Sequence, residues 1–390
     1  LAKAELGPPG YQLMKILHLF SNAKWTGPAE PALTLCAEIR RLGIDADFAC
    51  PPTAPGSPYT LLDTAREWGI EPIRDFTLSK HENPWINWQD RRKLAAYLRK
   101  NPYDIVHCHL NNDHRIACGA VRGLDIPVVR SNYEGLGFSE PRRVAPLLKK
   151  TTALLDPSKI ARDRDCQEFG LKKDTVHVIP SAIDTTRFDP GRDLPDIRAR
   201  LKIPAEAFVI GIVARMQAHR HFEDLWDALK KLIDEDSNVH ALVVGRGTRQ
   251  ETVALEPVRE RNLQDKVHFS GFLRVDEYVA AVNAFDVKVF LVPGTDGTCR
   301  AVREAMAMGK PCVVSNRGML PEIVNDGANG LVFGSKADEL YTALRSLSDD
   351  RDRVKTMGEA ARRKALEAFS PKHQAEAVRS VYESILGATH

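Results

Sequence analysis

The chain has 390 residues, 43% of them hydrophobic and 27% charged, with a formal net charge of +3 at pH 7. That length suits two or three cored domains, and the composition is that of an ordinary globular protein. The small net charge excludes the concentrated basic footprint of a nucleic-acid binder, and no apolar run approaches the roughly 20 residues that span a bilayer.

Residues 1–13 read as a loose, Gly- and Pro-containing extension. Met14 is the expected natural start, and nothing before it has the apolar core of a secretory signal. The seven cysteines (Cys36, Cys50, Cys108, Cys118, Cys166, Cys299 and Cys312) are odd in number and form no CxxC pair. They read as small buried hydrophobes in a reducing compartment, which points to the cytoplasm rather than to disulfides or zinc.

From Met14 onward, short apolar runs alternate with longer amphipathic segments. The first six predicted strands are 16–20, 45–50, 105–109, 127–130, 153–155 and 176–179. The next six are 208–214, 239–244, 266–269, 287–292, 312–315 and 330–333. These runs are rich in Val, Ile and Phe and do not alternate strictly, as expected of strands buried on both faces. Helical patterns such as 31–42 and 222–232 lie between them, so the fold class is α/β, with parallel sheets built from βαβ units. The alternation restarts near residue 208 after a Pro-rich, charged stretch. The expected organisation is therefore a first domain over 14–195, a second over 196–370, and a final helix over 371–390 packing back on the first. Ligands of two such domains belong in the cleft between them, at the carboxyl ends of the strands.

The richest chemistry lies between Pro293 and Pro311. Gly294 and Gly297 loosen a loop after a strand, and a helix is predicted to begin near Thr298. The amides of Gly297, Thr298, Cys299 and Arg300 would then form an anion site suited to a diphosphate. Asp296 and, eight residues later, Glu304 can hold two hydroxyl-rich parts of one ligand. The plainer reading makes Asp296 an N-cap and Glu304 a surface helix residue.

The stretch from Asp296-Gly297 through Glu304-Ala305-Met306-Ala307-Met308-Gly309-Lys310-Pro311 resembles the signature of glycosyltransferase family 4. Residues 208–215, 178–188, 268–273, 285–286 and 321–327 resemble further motifs of that family in the right order. The likeness covers nearly all of 14–386. It implies the GT-B architecture, two Rossmann-like domains facing across a cleft, and a retaining transfer of a hexose-type sugar from a nucleotide-sugar, UDP-linked by preference. The implied acceptor is a glycan or a lipid-linked glycan in cell-envelope polysaccharide or lipopolysaccharide synthesis.

The resemblance also implies roles. Arg215, with Arg220 or His221, clamps the donor diphosphate, for which the planar guanidinium fork is suited. Glu304 binds the donor ribose, and Asp296 holds hydroxyls of the transferred sugar. Ser270, Gly271, Phe272 and Leu273 lie by the base, with Arg246 as a lesser donor contact. His109 joins Arg215 and Asp296 as a catalytic candidate. Thr26, Gly27 and Tyr133 contact donor or acceptor. No metal or other cofactor is called for, since basic side chains and helix amides do that work. The chain departs from the family pattern with Asp for Glu at 296, Ala for Gly at 214 and Tyr133 where His is usual. A tyrosine there hydrogen-bonds but is no base near neutral pH.

Other readings remain open. They are a nucleotide-sugar epimerase or phosphorylase of the same architecture, and a nucleotide-sugar binder without turnover. A Rossmann oxidoreductase ranks low, because Gly245 and Gly247 lack the third glycine of the dinucleotide fingerprint. The basic stretch 141–150 reads as a solvated helix face or as a weak contact with the inner membrane surface. Trp85, Trp88 and Tyr97 read as core residues or as an acceptor-stacking platform.

Overall fold

A computed structural model describes residues 14–53, 60–334 and 336–387, apart from the side chains of Asp296 and Thr298. The expected extension, 1–13, lies outside these residues.

The first domain runs β1 (Lys15–Leu19), α1 (Ala29–Arg41), β2 (Asp45–Ala49), α2 (Leu61–Glu67), α3 (Pro84–Lys100) and β3 (Ile105–Cys108). It continues with α4 (Asn111–Ala120), β4 (Val128–Ser131), α5 (Pro141–Leu148), β5 (Ala153–Asp156), α6 (Lys159–Phe169) and β6 (Val176–Val178). The second runs α7 (Ile197–Arg200), β7 (Phe208–Val213), α8 (Phe222–Glu235), β8 (Val239–Val244), α9 (Glu256–Glu260) and β9 (Val267–Gly271). Then come α10 (Val275–Asn283), β10 (Val287–Phe290), α11 (Asp296–Ala307), β11 (Cys312–Ser315), α12 (Leu320–Ile323) and β12 (Gly330–Phe333). Three helices close the chain: α13 (Ala337–Ser348), α14 (Arg351–Ala368) and α15 (Pro371–Gly387).

Each domain holds a six-stranded sheet, ordered β2-β1-β3-β4-β5-β6 and β12-β11-β10-β7-β8-β9. Every neighbouring pair is parallel. Strands such as β8 are buried along their whole length, which explains their unbroken apolar runs. Strand order reverses beside β1 and β3 in the first sheet, and beside β7 and β10 in the second. Crevices open at such reversals, so the loops after these four strands are placed to build a site.

The crossing between domains differs from the expected boundary at 195. Ile183, Phe188 and Ile197 are buried in the core of the second domain, and the Ile183 amide donates to the Phe369 carbonyl at 2.9 Å. The Pro-rich stretch is thus a wrapped part of the second core, because its few apolar residues find their partners there. After α14 the chain returns, and α15 buries Ala375, Val378, Val381 and Tyr382 against the core that holds α1.

All seven cysteines are buried, and none forms a disulfide among the described residues. In α5, Val144, Leu147 and Leu148 turn inward while Arg142 and Arg143 are exposed, a solvated amphipathic face. Trp85 and Trp88 are exposed rather than in the core, stacked on one another with ring centroids 5.1 Å apart. Tyr97 packs against Phe76 and Tyr103.

Candidate functional site

A cavity of about 580 Å³ opens at the carboxyl ends of β7, β8 and β9, lined in part by Arg215, Arg246, Phe272, Leu273 and Tyr278. Its floor depends on two glycines. A Cβ on Gly245 would strike the Ala214 carbonyl, and one on Gly247 the Met216 backbone. The Gly-Arg-Gly turn is therefore a packing device that lets the loop after β8 lie against the loop after β7. Gly245 also has φ +132°, which a side chain would rarely allow.

Arg215 is exposed at the cavity. The Arg220 guanidinium is pushed below its ordinary pKa, first by burial and then by the charge of Arg215. Its Nε is buried without a hydrogen-bond partner. Two neighbouring cations, neither paired with a carboxylate among the described residues, make a site that wants an anion. His221, the other candidate, has φ +56° and caps α8 at the turn, so Arg220 is the residue brought beside Arg215. Phe272 is 59% exposed, and the Arg246 and Arg274 guanidiniums lie 5.3 and 5.9 Å from its ring. Beside it, Gly271 has φ +70°, and its carbonyl accepts the Gly245 amide at 2.9 Å. The Ser270 hydroxyl donates to the same carbonyl at 3.2 Å.

Helix α11 begins at Asp296, two residues earlier than expected. The Cys299 amide is therefore spent on the Thr295 carbonyl at 2.8 Å. That corrects the expected set of four anion-binding amides. Cys299 and Arg300 stand inside the helix, and the first-turn amides are those of residues 296–298. The expected role of the Asp296 side chain falls outside the described residues.

Glu304 is no surface residue. It is 4% exposed, and it accepts from the Tyr278 hydroxyl at 2.6 Å and from Arg300 Nε at 2.8 Å. The tyrosine hydroxyl is held well above its ordinary pKa by burial and then by the Glu304 charge. Arg300 turns its two terminal nitrogens to the carboxylate of Glu30 on α1, at 2.6 and 2.5 Å. Thr26 and Gly27 lie in the turn that starts α1, where the Ala29 amide donates to the Thr26 carbonyl.

On the first-domain wall, register places His18 of β1 opposite His107 of β3. The His109 ring stacks on both of theirs, 4.5 Å from that of His107. His18 Nδ1 meets His109 Nε2 at 3.0 Å, and His109 Nδ1 meets the Tyr133 hydroxyl at 2.7 Å. His107 is bonded to Ser131 and, at 2.5 Å, to Tyr382 of α15. Burial pulls His18 down to about 3 and, with the neighbouring imidazoles and Arg130, holds His107 and His109 well below the usual histidine range. This is the one group among the described residues whose ligand-type atoms gather within 4.8 Å of one another. Five of its six ring nitrogens are already engaged, and only His18 Nε2 lacks a partner. These contacts close the cluster on itself.

That closure corrects the expected role of His109. The ring is fully buried, so it reaches the cleft only through the half-buried Tyr133. Asp113, on α4, accepts the amides of Ser21 (2.8 Å) and Leu110 (2.9 Å), tying the loop after β1 to the loop after β3.

The model for group 1 glycosyl transferases matches residues 193–364, and the model described as Glycosyltransferase Family 4 matches residues 27–187. A D-inositol 3-phosphate glycosyltransferase of Nocardia farcinica is 30% identical over 324 residues, covering 77% of this chain and 70% of that one. The chain belongs to glycosyltransferase family 4. An MMP alpha-(1->4)-mannosyltransferase of Mycolicibacterium hassiacum is 29% identical over 72% of this chain, and the aligned stretch spans 64% of that protein's length. Anabaena HepE in complex with UDP shares the fold, with a TM-score of 0.78 at 20% identity, over 95% of this chain and 100% of that one.

In this family 4 glycosyltransferase the fold is GT-B, with two parallel six-stranded sheets. Arg215, Arg246, Phe272 and Leu273 line one cavity, with Arg220 close to Arg215 and Glu304 bonded to Tyr278 of the lining. Sequence reading missed Glu30, Tyr278 and His18. Glu30 sits in a helical pattern that marks only an amphipathic helix, and Tyr278 reads as one apolar residue among several. His18 alone carried a findable signal, since a polar residue inside an apolar strand demands a partner.

Proposed function

We propose that this chain is a retaining hexosyltransferase that takes its sugar from a UDP-sugar and hands it to a glycan or lipid-linked acceptor, on the cytosolic side of cell-envelope polysaccharide or lipopolysaccharide assembly. The observation that carries the reading is Arg215, which lines the cavity, with Arg220 close behind it, two cations without a carboxylate partner among the described residues. The donor diphosphate supplies the missing charge. Its base lies toward Phe272 and Leu273, its ribose hydroxyls on Glu304, and its phosphates on the two guanidiniums. The complex of HepE with UDP supports the choice of base.

The chemistry follows from charge. As the sugar–oxygen bond breaks, negative charge gathers on the departing diphosphate and positive charge on the anomeric carbon. Arg215, Arg220 and the first amides of α11 offset the former, a contribution of the oxyanion-hole kind. The acceptor hydroxyl attacks on the face the diphosphate leaves, and its proton passes to a diphosphate oxygen. The guanidiniums take the place that a metal ion fills elsewhere, so activity is independent of metal. Among the described residues, no helix is long and apolar enough to cross a membrane.

The test is a titration of the protein with UDP, GDP and ADP in the presence of EDTA, followed by NMR of the product's anomeric centre. Saturable binding of UDP alone and a retained configuration are expected. Inverted product would overturn the mechanism, and loss of binding in EDTA would overturn the metal-free site.

A further inference from the structure

Glu30 lies on the first turn of α1 in the first domain, and Arg300 lies on α11 in the second. Their contact is a fork, both terminal guanidinium nitrogens on both carboxylate oxygens, at 2.6 and 2.5 Å. The pair is half-buried, with side chains 24% and 27% exposed. The third guanidinium donor, Nε, goes to Glu304 at 2.8 Å, and the far oxygen of Glu304 accepts from Tyr278, which lines the cavity. One continuous chain of charge-assisted bonds thus runs from the first domain, across the cleft, to the carboxylate assigned to the donor ribose.

Resting on that assignment, we propose that Glu30 is a positioning residue: by gripping Arg300 from the opposite domain it sets the Glu304 carboxylate for the ribose hydroxyls and so couples closure of the two domains to donor binding. A planar fork held at both ends has one orientation, and with both terminal nitrogens on Glu30 the Arg300 Nε points at Glu304, one turn along the same helix. When the domains part, the fork is lost and Arg300 regains rotamer freedom, so Glu304 keeps only the weaker contact between neighbours on one helix, beside its bond from Tyr278. Three of the five N–H donors of Arg300 are engaged by these two carboxylates. The cations that face the diphosphate are Arg215 and Arg220.

The experiment compares wild type, Glu30→Gln, Arg300→Gln and the double variant, by calorimetric titration with UDP and with 2′,3′-dideoxy-UDP. Glu30→Gln is expected to weaken UDP about tenfold, the effect of one lost charge-assisted fork. Adding Arg300→Gln should then cost little more, because the two residues act as one unit. The loss should largely vanish with the dideoxy ligand, which offers Glu304 no hydroxyls. A merely structural role would weaken both ligands alike. Additive losses, equal losses for the two ligands, or UDP affinity unchanged in Glu30→Gln would each overturn the proposal. Spin-label distances between the domains separate its failure from that of the functional reading. If wild type binds none of UDP, GDP or ADP, the proposed function falls. The latch is then judged by those distances alone: a longer, broader distribution in Glu30→Gln sustains it, and an unchanged one overturns it.

Discussion

Burial, and then the charge of neighbouring Arg215, push the Arg220 guanidinium below its ordinary pKa. Such a pair is kept for what it binds. Arg215→Ala should abolish the thermal stabilisation by UDP while leaving the apo melting temperature within a degree or two, since exposed charges contribute little to stability. Arg220→Ala should also lose UDP, yet the apo protein should melt higher, because a buried and repelled cation has been removed. A variant that still binds UDP as wild type does would exclude its arginine from the site. Lys288 makes a second test at this scale. It is fully buried in β10, and burial pulls its amine down to about 7. Between that value and its ordinary value of 10.5 the unfolded chain binds the proton that the folded chain has released. Stability from this group therefore rises with pH across that window, by about 1.4 kcal/mol per pH unit, and is lost as pH falls toward 7. Lys288→Met should melt higher than wild type at pH 7 and show a flatter stability profile from pH 7 to 10. An unchanged profile would mean that the amine stays charged in the fold.

At the scale of elements, loops rather than strands carry the site, and their close packing limits what they tolerate. The turn at Gly245 and Gly247 lies directly on the backbone that follows β7. Gly247→Ala places a methyl group against the Met216 backbone and should destabilise the protein by about 1–3 kcal/mol, as overpacking does. It should also weaken UDP, because the loop bearing Arg215 must move; chemical denaturation and titration on the same sample check both. The sequence displayed the two glycines but not this reason for them. It also displayed the eight-residue spacing of Asp296 and Glu304, which set Glu304 about two turns into the helix that Asp296 begins. The start of α11 was not legible, because Thr295 and Asp296 both suit a helix entrance and only the hydrogen bond from Cys299 to Thr295 decides between them.

For the whole molecule, the last helix belongs in sequence to the second domain and in packing to the first. Its apolar face fills one side of α1, and Tyr382 bonds to the buried His107 behind the wall that positions Tyr133. A chain ending at Phe369 would expose that face and leave His107 Nδ1 without a partner. The first domain is expected to lose cooperative unfolding while the second keeps its own transition, as calorimetry would show. A single unchanged transition would mean that α15 contributes nothing to the first core. Residues 183–197 follow the same rule in the opposite direction, lying beside the first domain in sequence and within the second in packing.

Sequence alone determined what depends on periodicity and local chemistry. Twelve apolar runs became twelve parallel strands in two sheets. The spacing of Asp296 and Glu304, the arginines after β7 and the buried cysteines were all legible in one dimension, because burial on both faces and charge at a strand end leave local marks. Tertiary structure decided the pairings between distant residues. It closed His18, His107 and His109 on one another, took His109 out of the cleft, and handed Arg300 to Glu30 of the other domain. A single polar residue in a sequence announces that it needs a partner, but the partner is fixed only when sheets, crossovers and the returning helix bring two segments within hydrogen-bond reach.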